Sequence, residues 1–400
     1  MAEGRTYEVI ISGSGPAGAG LALALTARAP ELAPEILVLE ASRHPREKIC
    51  AGGITADGVR QLKSWGMGIH VPAVSVKGVR LRYGNSVTDI PAPESDAVVV
   101  RRDAFDHSLV EAVRSRGVEV REETPLRGVE RTADGVRVRV SGEEIRARAV
   151  VGADGVASAV RRSVGFPGGR RHARLLVVET PGGDDAKGGG PGRFEFDFTR
   201  VERGIQGYVW DFPCLVDGKP SVSRGIFDRA PDGLRRRDWK QEFASALEER
   251  GVSPGAFRWK GYAVRAFDPR IPTAAPRVLL VGDAAGIDPL MGEGIAQGFA
   301  YAELAADAIL GARKRGDYRF NDYHRRVLRS PLGRELRLTA RAADYLYNPR
   351  YFPFWISLLF NSGNVRRIVG EALADGGGLR DHIGSIALSA LGRFLLPGRR

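Results

Sequence analysis

The sequence predicts an α/β protein with three regions: a nucleotide-binding domain, an inserted domain built on an antiparallel sheet, and a C-terminal helical region. A short apolar run near the N-terminus passes through a glycine-rich turn into an Ala/Leu-rich segment, as in a strand–turn–helix unit. Alternating apolar segments between residues 175 and 227 predict antiparallel strands. An apolar strand at 277–281 ends in Gly-Asp and returns the chain to the first domain, so the sheet domain is inserted.

The glycine-rich turn lies in the run VIISGSGPAGAG, residues 9–20, and contains a G-x-G-x-x-G motif. In a Rossmann-like unit the first glycine makes the tight turn, the second lets the backbone approach a pyrophosphate, and the third lets the helix pack closely on the strand. The helix predicted over 19–29 presents free N–H groups to a diphosphate. We therefore predict a dinucleotide site formed by Gly13, Ser14, Gly15, Pro16, Ala17 and Gly18.

An acidic residue follows the second predicted strand, residues 36–39. A carboxylate at this strand end can accept hydrogen bonds from a ribose hydroxyl. Glu40 lies further along the chain than the usual spacing of about 20 residues, because the loop ARAPELAPE intervenes. We assign Glu40 and the adjacent Ala41 to the same dinucleotide site.

Composition indicates an ordinary globular protein. The chain has 400 residues, of which 43% are hydrophobic and 27% charged, and its length predicts two or three domains. Cys50 and Cys214 are far apart in sequence, which argues against a disulfide framework and fits a reducing compartment. Neither a leader pattern nor an apolar run of about 20 residues is present. We expect a cytoplasmic protein, with peripheral contact with a membrane as the open alternative.

The basic balance of the chain, a net charge of +12, is mostly arginine and is spread along the sequence. Nucleic-acid binding would require a clustered basic stripe and a recognisable module, and the sequence has neither. Two interpretations stay open: a solvated basic surface, and attraction to anionic lipids or an anionic substrate. The sequence does not indicate an oligomeric state.

The remaining elements follow from apolar periodicity and turn residues. Further strands are predicted at 78–90, 97–100, 118–122, 136–140, 145–151 and, within the sheet domain, in the segments LLVVET, RFEFDF, IQGYVWDF and SVSRGIF, with a glycine-rich loop at 182–192. Helices are predicted at 101–117, 157–164, 236–250 and 295–310, and residues 317–400 are predicted to be mostly helical. The predicted nucleotide-binding domain is discontinuous and comprises residues 1–75, 98–170 and 265–316. The predicted sheet domain comprises residues 76–97 and 171–264, and the C-terminal helical region comprises residues 317–400.

Four spaced motifs together resemble the flavoproteins built on the p-hydroxybenzoate hydroxylase plan. These are the G-x-G-x-x-G, an R-x-x-F-D run from Arg102 to Asp106, Asp154-Gly155, and Gly282-Asp283, in the family's order over about residues 9–310. The resemblance implies an FAD-binding Rossmann-like domain with an inserted antiparallel-sheet substrate domain. It further implies that the glycine loop holds the FAD pyrophosphate, Glu40 the adenosine ribose, Leu126 the adenine through its backbone, Arg102 the flavin end and Asp283 the ribityl chain.

The segment Gly292-Glu293-Gly294-Ile295 opens the helix at 295–310. We expect its N–H groups to point at the pyrimidine edge of the flavin, where reduced flavin carries negative charge, because a helix N-terminus stabilises such charge. The cofactor residues predicted in this part of the chain are Asp154, Gly155, Gly282, Asp283, Gly292, Gly294 and Ile295.

Two further stretches resemble motifs of the geranylgeranyl reductases. KICAGG, residues 48–53, resembles K-x-C-G-G, and YVWDFP, residues 208–213, resembles Y-x-W-x-F-P. Ala51 stands where a glycine is usual, and Cys214 follows where a lysine is common. The resemblance implies an FAD-dependent oxidoreductase that reduces carbon–carbon double bonds of an isoprenoid or lipid-like substrate. The sequence has no second G-x-G-x-x-G for a nicotinamide, so either NADPH docks transiently or another carrier supplies electrons.

Several residues keep two interpretations at this point. Cys50 is a catalytic candidate or a small filler of the flavin loop, which we assign to Cys50, Ala51 and Gly52. Tyr208, Trp210 and Phe212, with Pro213, either face the substrate or belong to the sheet core, since residues with period two share one strand face. Two rival functions are a flavin monooxygenase and a prenyl-binding carrier without chemistry.

The histidines and the tail complete the predictions. The six histidines show no metal-ligand spacing, so no metal site is predicted, and we expect His44, His107 and His172 at the surface. The most apolar and aromatic run, residues 351–360, is too short to span a membrane. It is predicted either to lie at a membrane interface or to close the substrate cavity as a packed helix.

Overall fold

The structure is a computed structural model that describes residues 5–168, 172–182, 192–229, 238–376, 378–382, 384–386 and 388–389. The interior of the glycine-rich loop predicted at 182–192 and the start of the helix predicted at 236–250 lie outside these ranges. The described residues form two sheets and a set of C-terminal helices, so the predicted fold class is confirmed.

The elements of the described chain have the following bounds. The strands are β1 Thr6–Ser12, β2 Ile36–Leu39, β3 Gly53–Ile54, β4 Ala73–Tyr83, β5 Ser86–Pro91, β6 Val98–Val100, β7 Glu119–Arg121, β8 Gly128–Arg131, β9 Val136–Val140, β10 Glu143–Gly152, β11 His172–Pro181, β12 Gly192–Asp197, β13 Gly207–Val216, β14 Lys219–Asp228, β15 Lys260–Arg265, β16 Ala274–Ala275 and β17 Val278–Leu280. The helices are α1 Pro16–Arg28, α2 Ala56–Ser64, α3 Arg102–Ser115, α4 Ala159–Ser163, α5 Trp239–Glu248, α6 Ile295–Arg315, α7 Tyr323–Arg329, α8 Pro331–Leu346, α9 Phe352–Asn361 and α10 Gly363–Gly370.

The first sheet has the strand order β16-β17-β10-β1-β2-β7, with β8 and β9 paired beside β10. Strand β1 is parallel to both β10 and β2, and β10 is parallel to β17. Strands β2 and β17 and the C-terminal parts of β1 and β10 are apolar and buried, as expected where a parallel sheet is covered by helices on its faces. The carboxyl ends of β1, β2, β10 and β17 therefore meet at one edge, which is where open α/β sheets bind ligands.

The second sheet has the order β15-β11-β14-β13-β12-β4-β6-β3, with β5 beside β4. Its pairs are antiparallel except that β12 runs parallel to β4, a register that the alternating pattern of the sequence did not reveal. The single strand predicted at 78–90 is wrong: the chain reverses between β4 and β5 at Gly84-Asn85, where Gly84 adopts a φ of +57°. Gly and Asn tolerate the positive φ that a tight hairpin turn demands.

The C-terminal residues are mostly helical over the described ranges, as predicted. The end of α8 and helix α9 pack through Ala343, Tyr347, Phe352 and Ile356 against Val201 and Leu290 of the rest of the protein. Residues 351–360 thus contribute a helix to a buried cluster. Within the described ranges, no helix has both the length and the apolar character needed to cross a bilayer.

We predict that Gly18→Ala destabilises the protein, because a Cβ at this position would lie 1.9 Å from the carbonyl oxygen of Gly13 and 3.1 Å from Cβ of Ala153. Overpacking of this kind costs about 1–3 kcal/mol, more than the gain of up to about 1 kcal/mol that alanine brings to a helix. Urea denaturation measures the difference. Gly255→Ala is the control, since a Cβ there meets nothing within 4 Å; equal effects of the two changes would contradict the explanation.

Candidate active site

One continuous cavity of about 970 Å³ connects the two sheets and the tail helices. It begins at the carboxyl edge of the first sheet, passes the aromatic face of β13, and ends between α8, α9 and α10. Most of the predicted cofactor residues line it: Gly13, Gly15, Pro16, Ala17, Glu40, Ala41, Cys50, Ala51, Arg102, Leu126, Asp154, Gly155, Gly282, Asp283, Gly292, Gly294 and Ile295. Ser14, Gly18, Gly52 and Pro213 are not among the lining residues.

The glycine-rich turn forms a cradle that side chains would fill. Gly13 has a φ of +100°, and a Cβ there would lie 2.4 Å from the carbonyl oxygen of Ala153. Its N–H donates to the carbonyl of Leu39 at 2.7 Å, which fixes the turn beside β2. Gly282, with a φ of +56°, approaches Ala17 so closely that a Cβ would lie 2.7 Å from that residue's Cβ. Gly15, Pro16 and Ala17 line the cavity, so the start of α1 is accessible to a phosphate group.

Glu40 is buried at the end of β2 and accepts three hydrogen bonds. Its Oε2 accepts from the N–H and the hydroxyl of Ser14 at 3.0 and 2.6 Å, and its Oε1 accepts from the N–H of Ser42 at 3.0 Å. The Nε of Arg46 lies 3.3 Å from Oε1. Burial alone would raise the pKa of Glu40, but Arg46 and the hydrogen bonds from Ser14 and Ser42 outweigh it and lower the pKa. The carboxylate is therefore ionised.

The prediction that His44 lies at the surface is wrong. It is 7% exposed, and its Nε2 lies 2.8 Å from the hydroxyl oxygen of Ser14. Since the Ser14 hydroxyl donates to Glu40, Nε2 of His44 must be the donor in this pair. Burial lowers the pKa of His44. His107 and His172 are partly buried. No apolar periodicity in the loop that follows β2 could have indicated the burial of His44.

Asp154 presents an unpaired acceptor. Its Oδ2 accepts from the N–H groups of Ala159 and Val160 at 2.7 and 3.2 Å, at the start of α4. Its Oδ1 is buried and has no hydrogen-bond partner among the described residues. A buried acceptor left unpaired costs about 1–3 kcal/mol, so this atom fits a donor group of a bound dinucleotide. Together with the glycine cradle, it shows that the residues present suit FAD.

The predicted flavin end gathers several charges. Arg102 is buried and donates to both carboxylate oxygens of Asp106, at 2.8 and 3.0 Å. Burial raises the pKa of Asp283, while Lys48, Arg102 and Arg265 act in the opposite direction. Lys48 lies over the ring of Tyr262 at 3.3 Å, and burial lowers its pKa to about 8. Sequence reasoning did not assign Lys48 and Tyr262 to the site, although Lys48 opens the KICAGG stretch.

Some residues of the flavin loop line the cavity, and one packs behind the loop. Cys50 and Ala51 line the cavity, and the sulfur of Cys50 accepts from the N–H of Gly52 at 3.4 Å. Gly52 supports the loop from behind: its φ is +83°, and a Cβ there would lie 2.1 Å from the carbonyl oxygen of Val100. Cys50 is therefore positioned to contact a bound ligand, and Gly52 is not.

The aromatic strand β13 both lines the cavity and forms part of a core. Tyr208, Trp210 and Phe212 are 6%, 4% and 7% exposed, and all three line the cavity. The ring of Phe212 packs against that of Phe194 in a tilted arrangement, with centroids 4.6 Å apart. The ring of Trp210 covers Gly225, where a Cβ would lie 2.0 Å from its Cζ2. The two interpretations of these residues are thus compatible.

A tight turn precedes α6 and carries two carboxylates that sequence reasoning missed. Asp288 is buried and accepts from the N–H groups of Leu290 and Met291 at 2.9 and 2.8 Å. Glu293 lines the cavity and accepts from the Thr55 hydroxyl at 2.9 Å. Burial raises the pKa of Glu293 to about 7. Only the glycines of this segment stood out in the sequence, because a pattern of residue types does not show which carboxylates are buried.

Among the described residues, no group of three His, Cys, Asp or Glu side chains could hold a metal ion. The arrangement instead offers a dinucleotide cradle joined to an apolar chamber.

Comparison with known proteins agrees with this geometry. The FAD binding domain family matches residues 6–182. A digeranylgeranylglycerophospholipid reductase of Methanothermobacter thermautotrophicus is 28% identical over 85% of this chain and 86% of its own length. A menaquinone reductase of Mycobacterium tuberculosis is 28% identical over 88% of this chain and 87% of its own. A geranylgeranyl bacteriochlorophyll reductase-like protein from Thermoplasma acidophilum shares the fold, with a TM-score of 0.76 at 20% identity over 96% and 99% of the two chains.

The fold and the cavity thus define a flavoprotein with an FAD-binding domain. The chain is an FAD-dependent oxidoreductase that is similar to the geranylgeranyl reductases, and the resemblance predicted from the sequence motifs is confirmed.

We predict that the protein purifies yellow with non-covalent FAD and that Asp283→Ala weakens FAD binding about ten- to hundred-fold. Loss of hydrogen bonds to an ionised acceptor costs about 1.5–3 kcal/mol. Equilibrium dialysis of FAD against the apoprotein measures the change. Asp317→Ala removes a carboxylate paired with Arg319 on the surface and is the control. Unchanged FAD affinity in Asp283→Ala would remove this residue from the cofactor site.

Proposed function

We propose that the protein reduces carbon–carbon double bonds of an isoprenoid or similar lipid-like chain. The observation that carries this proposal is the continuity of the cavity: the dinucleotide cradle opens directly into a chamber with apolar walls. The names of the two relatives, a digeranylgeranylglycerophospholipid reductase and a menaquinone reductase, support a lipid-like substrate.

In this proposal the cradle at the carboxyl edge of the first sheet holds FAD, which supplies hydride from its reduced form. The N-terminus of α1 binds the diphosphate, Glu40 and the segment near Leu126 hold the adenosine, and Asp283 holds the ribityl chain. Arg102, the flavin loop with Cys50, and the start of α6 contact the flavin end. The domain boundaries predicted from the sequence then assign this task to the first sheet and substrate binding to the second.

The chamber binds and orients the chain of the substrate. Aromatic side chains of β13 form one wall, and Leu338, Trp355, Ile356 and Val369 of the tail helices form the other. These walls exclude water, so a reactive double bond is surrounded by apolar groups while a hydride is transferred. An extended apolar chain gains roughly 0.8 kcal/mol for each CH₂ group that it buries there.

The electron donor is part of the proposal. We expect NADPH to dock transiently or another carrier to reduce FAD, because the chain has a single G-x-G-x-x-G. Photoreduction of FAD under anaerobic conditions bypasses the donor and tests the reductase step alone.

We predict that anaerobically reduced protein converts prenyl lipids to products heavier by two mass units per double bond and that the flavin is reoxidised in step. Trp210→Phe is expected to slow this step about tenfold with the flavin spectrum unchanged, because a smaller ring packs the wall less well. Trp259→Phe, in a separate core cluster, is the control.

Mass spectrometry and flavin absorbance give the two readouts. Reoxidation only in oxygen, with a product heavier by one oxygen atom, would indicate a monooxygenase, and protein that rejects FAD would indicate a carrier.

The mouth of the chamber supports a further proposal, peripheral contact with a membrane. Tyr345 lines the cavity and is 57% exposed, and Tyr351 packs 5.9 Å from it and is 39% exposed. Arg350 lies over the Tyr351 ring at 5.6 Å. Exposed aromatic rings beside arginine suit the interface of an anionic membrane, from which a lipid-like substrate would enter.

We predict that the wild-type protein floats with anionic liposomes at low salt and that an Arg350→Ser/Tyr351→Ser double variant floats less. Each arginine contributes roughly 1 kcal/mol near an anionic surface. Both residues lie outside the cavity lining, so FAD content and turnover of a dispersed substrate are expected to persist. Val87→Ser, which changes an exposed apolar residue of β5, is the control. Wild type that stays at the bottom of the gradient would exclude this contact.

A further inference from the structure

Reduction of a carbon–carbon double bond needs a proton as well as a hydride. The hydride forms a C–H bond at one carbon, the π bond breaks, and its electron pair takes a proton at the neighbouring carbon. We infer that Glu293 is the general acid that supplies this proton, an inference that rests on the proposed function. Its O–H bond breaks, the carboxylate remains, and solvent reprotonates it after product leaves.

The turn that carries Glu293 is fixed from several sides. Asp288 accepts from the N–H groups of Leu290 and Met291 within the turn. The hydroxyl of Tyr208 donates to the carbonyl of Met291, and the hydroxyl of Tyr347 donates to the carbonyl of Leu290 at 2.9 Å. An acid held this firmly is preorganised for proton transfer.

The turn also packs directly against the aromatic wall. A Cβ at Gly292 would lie 2.9 Å from Cε2 of Phe227, so the residue before Glu293 touches the aromatic core. Phe227 and Tyr208 line the same cavity as Glu293. Glu293 is therefore next to the wall along which the substrate is proposed to lie and next to the start of α6, where the flavin end is expected.

The hydrogen bonding of Glu293 leaves one oxygen for the proton. Thr55 donates its hydroxyl hydrogen to Oε1 at 2.9 Å, and no described residue is hydrogen-bonded to Oε2. Thr55 precedes α2, so it orients the carboxyl group from a separate element. A protonated Oε2 can donate into the cavity while Oε1 stays held.

The charges around Glu293 keep the acid form available at neutral pH. No described arginine or lysine forms a salt bridge with it, and burial is the main cause of its raised pKa of about 7. Nearby carboxylates act in the same direction. The groups that face it are Asp57 of α2, itself paired with Arg60, Asp288 of the turn, Glu335 of α8 and the hydroxyl of Tyr208 on β13. A general acid is most effective when its pKa lies near the working pH.

Two other groups near the flavin end, Lys48 and Cys50, are less suited to act as the general acid. Lys48 lies over the Tyr262 ring and interacts electrostatically with Asp283, on the cofactor side of the cavity. Cys50 interacts with the buried Arg102, and its sulfur accepts from the N–H of Gly52, so the side chain is engaged within the flavin loop. Of these three groups, Glu293 is the one that lies in the cavity on the fixed turn, directly after Gly292, which packs against Phe227.

The test uses pre-reduced FAD-loaded protein and a prenyl lipid in single-turnover reactions from pH 5 to 9. For wild type, we expect the rate of flavin reoxidation to fall about tenfold per pH unit above pH 7. Glu293→Gln is expected to slow flavin reoxidation about 100-fold or more and to abolish this pH dependence of the rate. FAD retention and photoreduction of this variant are expected to stay normal. Glu293→Asp is expected to restore part of the rate, and Asp307→Asn, at a carboxylate of α6 that is paired with Arg28, is the control.

Infrared difference spectra of the oxidised protein give a readout independent of turnover. In wild type, we expect a carboxylic acid C=O band that disappears as pH rises through about 7. Absence of this band from Glu293→Gln would support Glu293 as the protonated acid. Wild type that reduces no prenyl lipid would overturn the proposed function. Wild type that reduces them, with Glu293→Gln equally fast and equally pH-dependent, would overturn the role of Glu293 alone.

Discussion

The close approach of helix α1 to the ends of β1 and β17 is the contact on which the site depends. Gly13 and Gly18 let backbone lie against backbone, and Gly282 lets the end of β17 approach the Cβ of Ala17, at separations that no side chain would fit. This approach aims the first turn of α1 at the edge where four parallel strands end. Because Glu40, Asp154 and Asp283 each follow one of these strands, their carboxyl groups lie around that same edge.

The second sheet depends on a different constraint: its aromatic face must be buried whether or not a ligand is present. The wall of Tyr208, Trp210 and Phe212 is held by packing and by the bond from Tyr208 to the turn before α6. One tyrosine thus joins the aromatic wall to the residues beside the flavin end. The contacts that pack the core of the second sheet therefore also fix the geometry of the site.

Much of this could be predicted from the sequence, because glycine spacing and strand ends are local signals. The turn at Gly13, the acidic strand end at Glu40 and the class of flavoprotein followed from such signals. The burial of His44, the carboxylates of Asp288 and Glu293 and the parallel pairing of β12 with β4 did not, because each depends on segments distant in sequence. The β4–β5 turn was overlooked although Gly84-Asn85 is a recognisable hairpin signal.

The ring of Trp210 occupies the space that a side chain at Gly225 would need. A Cβ there would also lie 2.4 Å from the carbonyl oxygen of Leu176, so a larger residue at 225 requires both the indole and strand β11 to shift. The shape of the chamber thus depends on a position that does not line it. Changes at 210 and 225 are expected to appear in pairs, and a designer who wants a narrower or wider channel has two coupled positions to alter rather than one.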